Sequence, residues 1–158
     1  MAQSILSESP ARTVELAASL APYLQAGDAL VLSGDLGTGK TWFANALLAA
    51  LGLEGSGQSP TFTLVNVYHL PQGQVYHADF YRLDSEAELW AAGWEDYLDG
   101  QALLLIEWGE RFPAALPLDY LQIRLERAGA TEREITVQAC GPRSRALMEA
   151  WFDALDRD

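Results

Sequence analysis

The stretch GDLGTGKT, residues 34–41, sets Gly34, Gly39, Lys40 and Thr41 at the spacing G-x-x-x-x-G-K-[ST]. Residues of these types at this spacing handle phosphate. Gly37 and Gly39 can take backbone conformations closed to other residues, so that successive N–H groups turn inward and form an anion nest at the positive end of a following helix. Lys40 would reach the outer phosphates of a nucleotide, and the Thr41 hydroxyl would ligate Mg²⁺. Lys40 is also the only lysine among ten basic residues, the rest being arginine. A compact ammonium fits between phosphates inside a tight loop where a planar guanidinium does not.

A phosphate loop of this kind needs an acid at the end of a neighbouring strand to organise the metal and the attacking water. Asp79 follows the strand-like VYHA, and Glu107 follows the apolar run ALLLI, where a carboxylate is costly unless it faces a cation. Either can hold the metal directly, and Glu107 can also serve as base toward water. Lys40, Asp79 and Glu107 are therefore the catalytic candidates, and Thr41, Asp79 and Glu107 the metal candidates. His77 lies on the strand face of Asp79 at period two. With His69 the one further histidine and Cys140 the one cysteine, the chain offers no zinc set, and His77 is expected to orient Asp79 by a hydrogen bond.

The candidate nucleotide-binding residues are Gly34, Asp35, Leu36, Gly37, Thr38, Gly39, Lys40, Thr41 and Trp42, together with Ser59, Thr61 and Trp108. Ser59 and Thr61 flank Pro60 and present hydroxyls at a rigid turn, suited to sensing a γ-phosphate, although the same residues also read as a plain strand entry. Trp108 can shield the reacting centre or fill the core. A guanine-reading N-K-x-D loop would need a second lysine, so ATP is favoured over GTP.

The elements that must position these residues follow from periodicity. Ser9 and Pro10 open a helix with apolar positions up to Leu24; Ala29–Leu32 reads as a strand feeding the glycine loop, and Trp42–Leu51 as a helix stopped by Gly52. Residues 61–70 and 74–81 are rich in Thr, Val, Phe and Tyr and predict two strands around a turn at Pro71–Gly73. Residues 85–92 predict a short helix. The run Ala102–Ile106 has the unbroken apolar character of a strand buried on both faces of a parallel sheet. Alternation at Leu121, Ile123, Leu125 and at Ile135, Val137, Ala139 predicts an antiparallel hairpin, and Leu147, Trp151 and Leu155 a closing helix over 142–155. The predicted fold is α/β, P-loop NTPase-like, with a mostly parallel central sheet flanked by helices and an added antiparallel hairpin.

At 158 residues and 49% hydrophobic, the chain is expected to form one domain, 1–158. The start MAQSILSESPARTVEL has neither the basic region nor the apolar run of a signal peptide, and no stretch approaches the roughly 20 apolar residues that span a bilayer. A soluble, cytoplasmic protein is expected, with no membrane. A formal net charge of −12 argues against direct high-affinity binding of nucleic acid by the chain alone.

Four segments in order, GDLGTGKT, SPTFTLVNVYHL, HADFYRL and LLLIEWGERF, resemble the TsaE family, also called YjeE, bacterial ATPases needed to make threonylcarbamoyladenosine in transfer RNA. The resemblance covers nearly the whole chain, with Thr38 standing where alanine is common. It implies that Lys40 and Thr41 bind phosphates and Mg²⁺, that Asp79 is the acid of the H-x-D-x-Y-R motif, and that Glu107 and Trp108 complete the ATP site. It implies a switch-like loop at Ser59–Thr61 and a nucleotide contact from Arg133. The implied partners are TsaB and TsaD, with the RNA chemistry on TsaD, weak ATP hydrolysis by the isolated chain, and hydrolysis resetting the complex. Two rival readings remain at the level of residues: a small P-loop metabolite kinase, and a nucleotide-sensing module without turnover. The oligomeric state is left open.

Overall fold

The computed structural model describes residues 2–35, 37–55 and 64–157. In chain order the elements are β1 (Ala2–Ser7), α1 (Pro10–Leu20), β2 (Ala29–Ser33), α2 (Lys40–Ala50), β3 (Val65–Leu70), β4 (Gly73–Asp79), α3 (Glu86–Ala91), β5 (Leu103–Glu107), β6 (Tyr120–Arg127), β7 (Arg133–Cys140) and α4 (Pro142–Asp156). Among the described residues the strands form one seven-stranded sheet in the order β1-β7-β6-β2-β5-β4-β3. β6, β2, β5 and β4 run parallel at its centre. β3 pairs antiparallel with β4 at one edge, and β7 and β1 continue antiparallel from β6 at the other. This is the predicted α/β class.

Burial explains the centre. Every residue of β2 and β5 is buried, as expected of strands covered on both faces. Leu30, Leu32, Leu103 and Leu105 pack with Leu16, Phe43, Leu47 and Trp151 of α1, α2 and α4 on one face. Val31, Leu104 and Ile106 pack with Phe80, Leu89 and Trp94 on the other. Every apolar side chain in these strands is thereby withdrawn from water, a contribution of about 1.5–3 kcal/mol for each large one. The expected hairpin forms as β6 and β7, but β6 is itself a member of the parallel core through its pairing with β2.

No element is expected before Pro10 from the sequence, yet Ala2–Ser7 forms β1 on the edge of β7. Its residues are mostly exposed or half-buried, so the period-two signal is faint, and the ladder to β7 supplies its order. Expected strand residues 61–63 lie outside the described residues.

Candidate functional site

β2 ends at Ser33, and the chain turns through the glycine loop into α2 with Gly39 in the left-handed conformation, φ 104, at the helix cap. Gly34, at φ 135, lies against the backbone of β6, where an added Cβ would run into the Leu125 carbonyl. Both positions require glycine, the first for conformation and the second for close approach. The loop therefore delivers Lys40 and Thr41 to the first turn of α2, above the ends of the parallel strands, the crevice where such sheets bind ligands.

Lys40 is only 6% exposed. Its ammonium donates to the carbonyls of Gly34 at 2.6 Å and Asp35 at 2.8 Å, and stands 4.1 Å from the centre of the Trp108 ring. Burial draws this ammonium below the ordinary lysine value, while Glu110, Glu107, Asp35 and Asp79 pull it part of the way back. Trp108 holds φ 61, the one non-glycine residue with positive φ among the described residues, and stacks on Tyr81 at 4.9 Å between centroids. A side chain in so sparsely populated a conformation is maintained by its surroundings and marks a site worth functional scrutiny. Here the surroundings are the Tyr81 ring, the Lys40 ammonium and a hydrogen bond from Trp108 N–H to the Leu32 carbonyl.

Beside the lysine, the Thr41 hydroxyl donates to Glu107 Oε1 at 2.9 Å. Glu107 is 2% exposed, the last residue of β5, and its other oxygen, Oε2, lies 2.6 Å from Nε2 of the wholly buried His77. The expectation that His77 orients Asp79 is therefore corrected: its partner is Glu107. Asp79 is directly opposite Glu107 in the β4–β5 register, whereas His77 is opposite Leu105, so imidazole and glutamate meet across the diagonal. The longer glutamate spans that distance, and the shorter Asp79 is engaged locally, accepting from the Tyr81 N–H at 2.9 Å. His77 Nδ1 has no hydrogen-bond partner among the described residues. A proton there would be buried without an acceptor, at a cost of about 1–3 kcal/mol, which favours the tautomer that donates from Nε2.

Burial raises the Asp79 carboxyl above the usual carboxylate range; the Tyr81 N–H works against this, the Glu107 charge adds to it, and His77 and Lys40 oppose it. Thr41, Glu107 and Asp79 together present hydroxyl and carboxylate oxygens, the hard donor set that Mg²⁺ takes when it binds through one or two side chains and completes its shell with phosphate oxygens and water. The fit is one of donor chemistry, at the C-terminal end of β5 and the start of α2.

On the opposite flank of the loop a groove of ≈ 280 Å³ is lined by Pro10, Thr13, Thr38, Gly39, Trp42, Thr131 and Arg133. Trp42 is 52% exposed, and its indole N–H donates to the Pro10 carbonyl. Arg133 donates from Nε to the Thr38 carbonyl at 3.0 Å, which fixes its guanidinium against the loop. The structure thus gathers Gly34, Asp35, Gly37, Thr38, Gly39, Lys40, Thr41, Trp42, Asp79, Glu107, Trp108 and Arg133 around one loop. Leu36, Ser59 and Thr61 lie outside the described residues. Sequence reasoning missed Tyr81, Glu110 and Arg127. Glu110 accepts from the Gly34 N–H at 3.3 Å, and Arg127 donates to the Gly37 carbonyl at 3.3 Å. Tyr81 stood within the HADFYRL segment and could have been singled out; nothing local marks the other two.

Comparison with known proteins bears on the family and the fold of this chain. The family model described as "Threonylcarbamoyl adenosine biosynthesis protein TsaE" matches residues 7–135. A Bacillus subtilis protein named tRNA threonylcarbamoyladenosine biosynthesis protein TsaE is 40% identical over 140 residues, covering 89% of this chain and 87% of that one. A Treponema pallidum protein of the same name is 40% identical over 114 residues, covering 72% of this chain and 84% of its own length. The crystal structure of Bacillus subtilis YdiB superposes with a TM-score of 0.81 at 33% identity, covering 98% of this chain and 96% of that one. With the family model spanning most of its length and relatives at this identity, the chain belongs to the TsaE family.

Proposed function

We propose that this chain binds and hydrolyses ATP with Mg²⁺ and serves the formation of threonylcarbamoyladenosine in transfer RNA by nucleotide-dependent association with TsaB and TsaD. The observation that carries the reading is the junction of loop and strand: a buried lysine ammonium inside the glycine loop, with Thr41 already hydrogen-bonded to the buried Glu107 beside it. The names of the relatives support the RNA role.

In this reading the loop N–H groups and Lys40 take the phosphates, and the groove beside Trp42 and Arg133 takes the base and ribose. Thr41 and Asp79 would hold Mg²⁺, which when bound neutralises phosphate charge and favours displacement at phosphorus, leaving Glu107 to act on water. Glu107, anchored at both oxygens, orients the attacking water and accepts its proton. Trp108, backed by Tyr81, covers Lys40 and keeps water from that side. Arg111 donates to the carbonyls of Phe80 and Tyr81 and so braces the segment that carries Asp79.

The test is reconstitution of the RNA modification from TsaB, TsaD and this chain, with ATP hydrolysis followed in parallel. Glu107→Gln keeps shape and polarity but removes the base, so ATP binding should persist while turnover falls by about 10²–10⁴-fold. Modification that proceeds equally well without this chain would overturn the reading, as would unchanged hydrolysis by Glu107→Gln.

A further inference from the structure

Among the described residues, His77 is the one titratable side chain with no exposure and no place in the phosphate binding proposed above. Its Nε2 lies 2.6 Å from Glu107 Oε2, and Glu107 Oε1 accepts from Thr41 at 2.9 Å. The glutamate is thus held from both sides, from α2 by a hydroxyl and from β4 by an imidazole. The two supports differ in kind. Thr41 follows the glycine loop in the first turn of α2, and in the function proposed above its hydroxyl is given to the metal. His77 is locked in the sheet between Ala78 and Tyr76, on the core-facing side of β4, and has no competing partner on its other ring nitrogen among the described residues.

We propose that His77 is a positioning residue for the hydrolysis inferred above: its Nε2–H fixes the Glu107 carboxylate so that Oε1 stays directed at the phosphate loop when Thr41 turns to the ligand. The inference rests on the proposed ATP hydrolysis for its kinetic consequence, and on geometry alone for the hydrogen bond. Without His77 the carboxylate keeps its place at the end of β5 but swings about its side-chain torsions, and the fraction of molecules with a correctly aimed base falls. Residues that hold a reacting carboxylate or metal ligand in this manner alter activity by about 10–100-fold when removed.

Two measurements on the full-length chain decide it. In the first, His77→Leu and His77→Gln are compared for ATP affinity and for turnover with partners present. Leucine removes the donor, and the glutamine amide can return an N–H near the position of Nε2. The expected result is a kcat lowered about 10–100-fold in His77→Leu with ATP affinity within about threefold of wild type, partial recovery in His77→Gln, and no further loss when His77→Leu is added to Glu107→Gln. In the second, the imidazole is observed by nitrogen-correlated proton resonance without nucleotide. A downfield ring N–H signal should be assigned to Nε2 and should move in Glu107→Gln. Equal loss of affinity and turnover in both His77 variants, with the resonance unmoved by Glu107→Gln, would show a merely structural histidine and overturn the proposal. A wild-type chain that never hydrolyses ATP would overturn the hydrolysis reading instead, and the resonance would still decide whether His77 holds Glu107.

Discussion

Lys40 shows at residue scale how a side chain can be chosen by shape as much as by charge. Its ammonium is enclosed by two carbonyls at 2.6 and 2.8 Å and by the face of Trp108 at 4.1 Å, in a chain whose other basic residues are all arginine. Both side chains would carry the positive charge, but the arginine fork needs a broader planar space than this pocket leaves. Lys40→Arg is therefore expected to weaken ATP binding about 100-fold and, by overfilling a buried site, to lower the melting temperature by a few degrees, measured by calorimetric titration and thermal unfolding. Wild-type affinity in Lys40→Arg would mean that charge alone matters at this position.

At the scale of elements, the closing helix is secured from another part of the chain. α4 begins after Gly141, which offers no side-chain cap, and the missing acceptor comes from Asp119, just before β6. One Asp119 oxygen accepts the Arg143 N–H at 2.8 Å and the other the Ser144 N–H at 2.9 Å. Arg143 then reaches back to Asp28, with contacts at 2.8 and 2.9 Å, and ties the helix start to the entry of β2. Burial works to raise the Asp119 carboxyl, but the hydrogen bonds from Ser144 and Arg143 outweigh it and hold the group below its ordinary value. A depressed native value stabilises the fold above the unfolded carboxylate range, and that stability is lost as pH falls through the lowered value. Asp119→Ala should thus cost about 1 kcal/mol at pH 7, with the difference from wild type shrinking below about pH 4 in denaturant titrations. A constant difference across that range would exclude the carboxylate as the source.

At the scale of the whole molecule, charge separates the site from any broad nucleic-acid surface. The net charge is −12, and the single lysine is withdrawn into the loop, leaving only scattered arginines to meet phosphate. Arg143 is bound to Asp28, Arg124 to Glu126 and Arg12 to Glu15, so part of that small basic complement is already matched by carboxylates. Such a surface recovers little counterion-release free energy from RNA. The isolated chain is expected to bind transfer RNA more weakly than about 10⁻⁴ M at physiological salt in filter binding, and to join RNA only through proteins that bind it. Retention at micromolar concentration would place an RNA surface on this chain. Among the described residues no helix is long and apolar enough to cross a membrane.

What the sequence determined by itself is local in origin. The glycine loop between a strand and a helix, the doubly buried run ending in Glu107, and the hairpin of β6 and β7 are each encoded within about two dozen neighbouring residues or fewer, by backbone permissiveness or by hydrophobic period. The pairing of His77 with Glu107 had no such signal, because period two tells which face of a strand a side chain takes and nothing of what a neighbouring strand sets opposite it. Only the register of β4 on β5 brings imidazole to glutamate and leaves Asp79 to the Tyr81 N–H. The groove of Trp42 and Arg133, the stacking of Tyr81 on Trp108 and the edge strand β1 were likewise decided by tertiary structure. Each joins segments distant in the chain, and the free energy that orders them comes from contacts that exist only once the sheet has assembled.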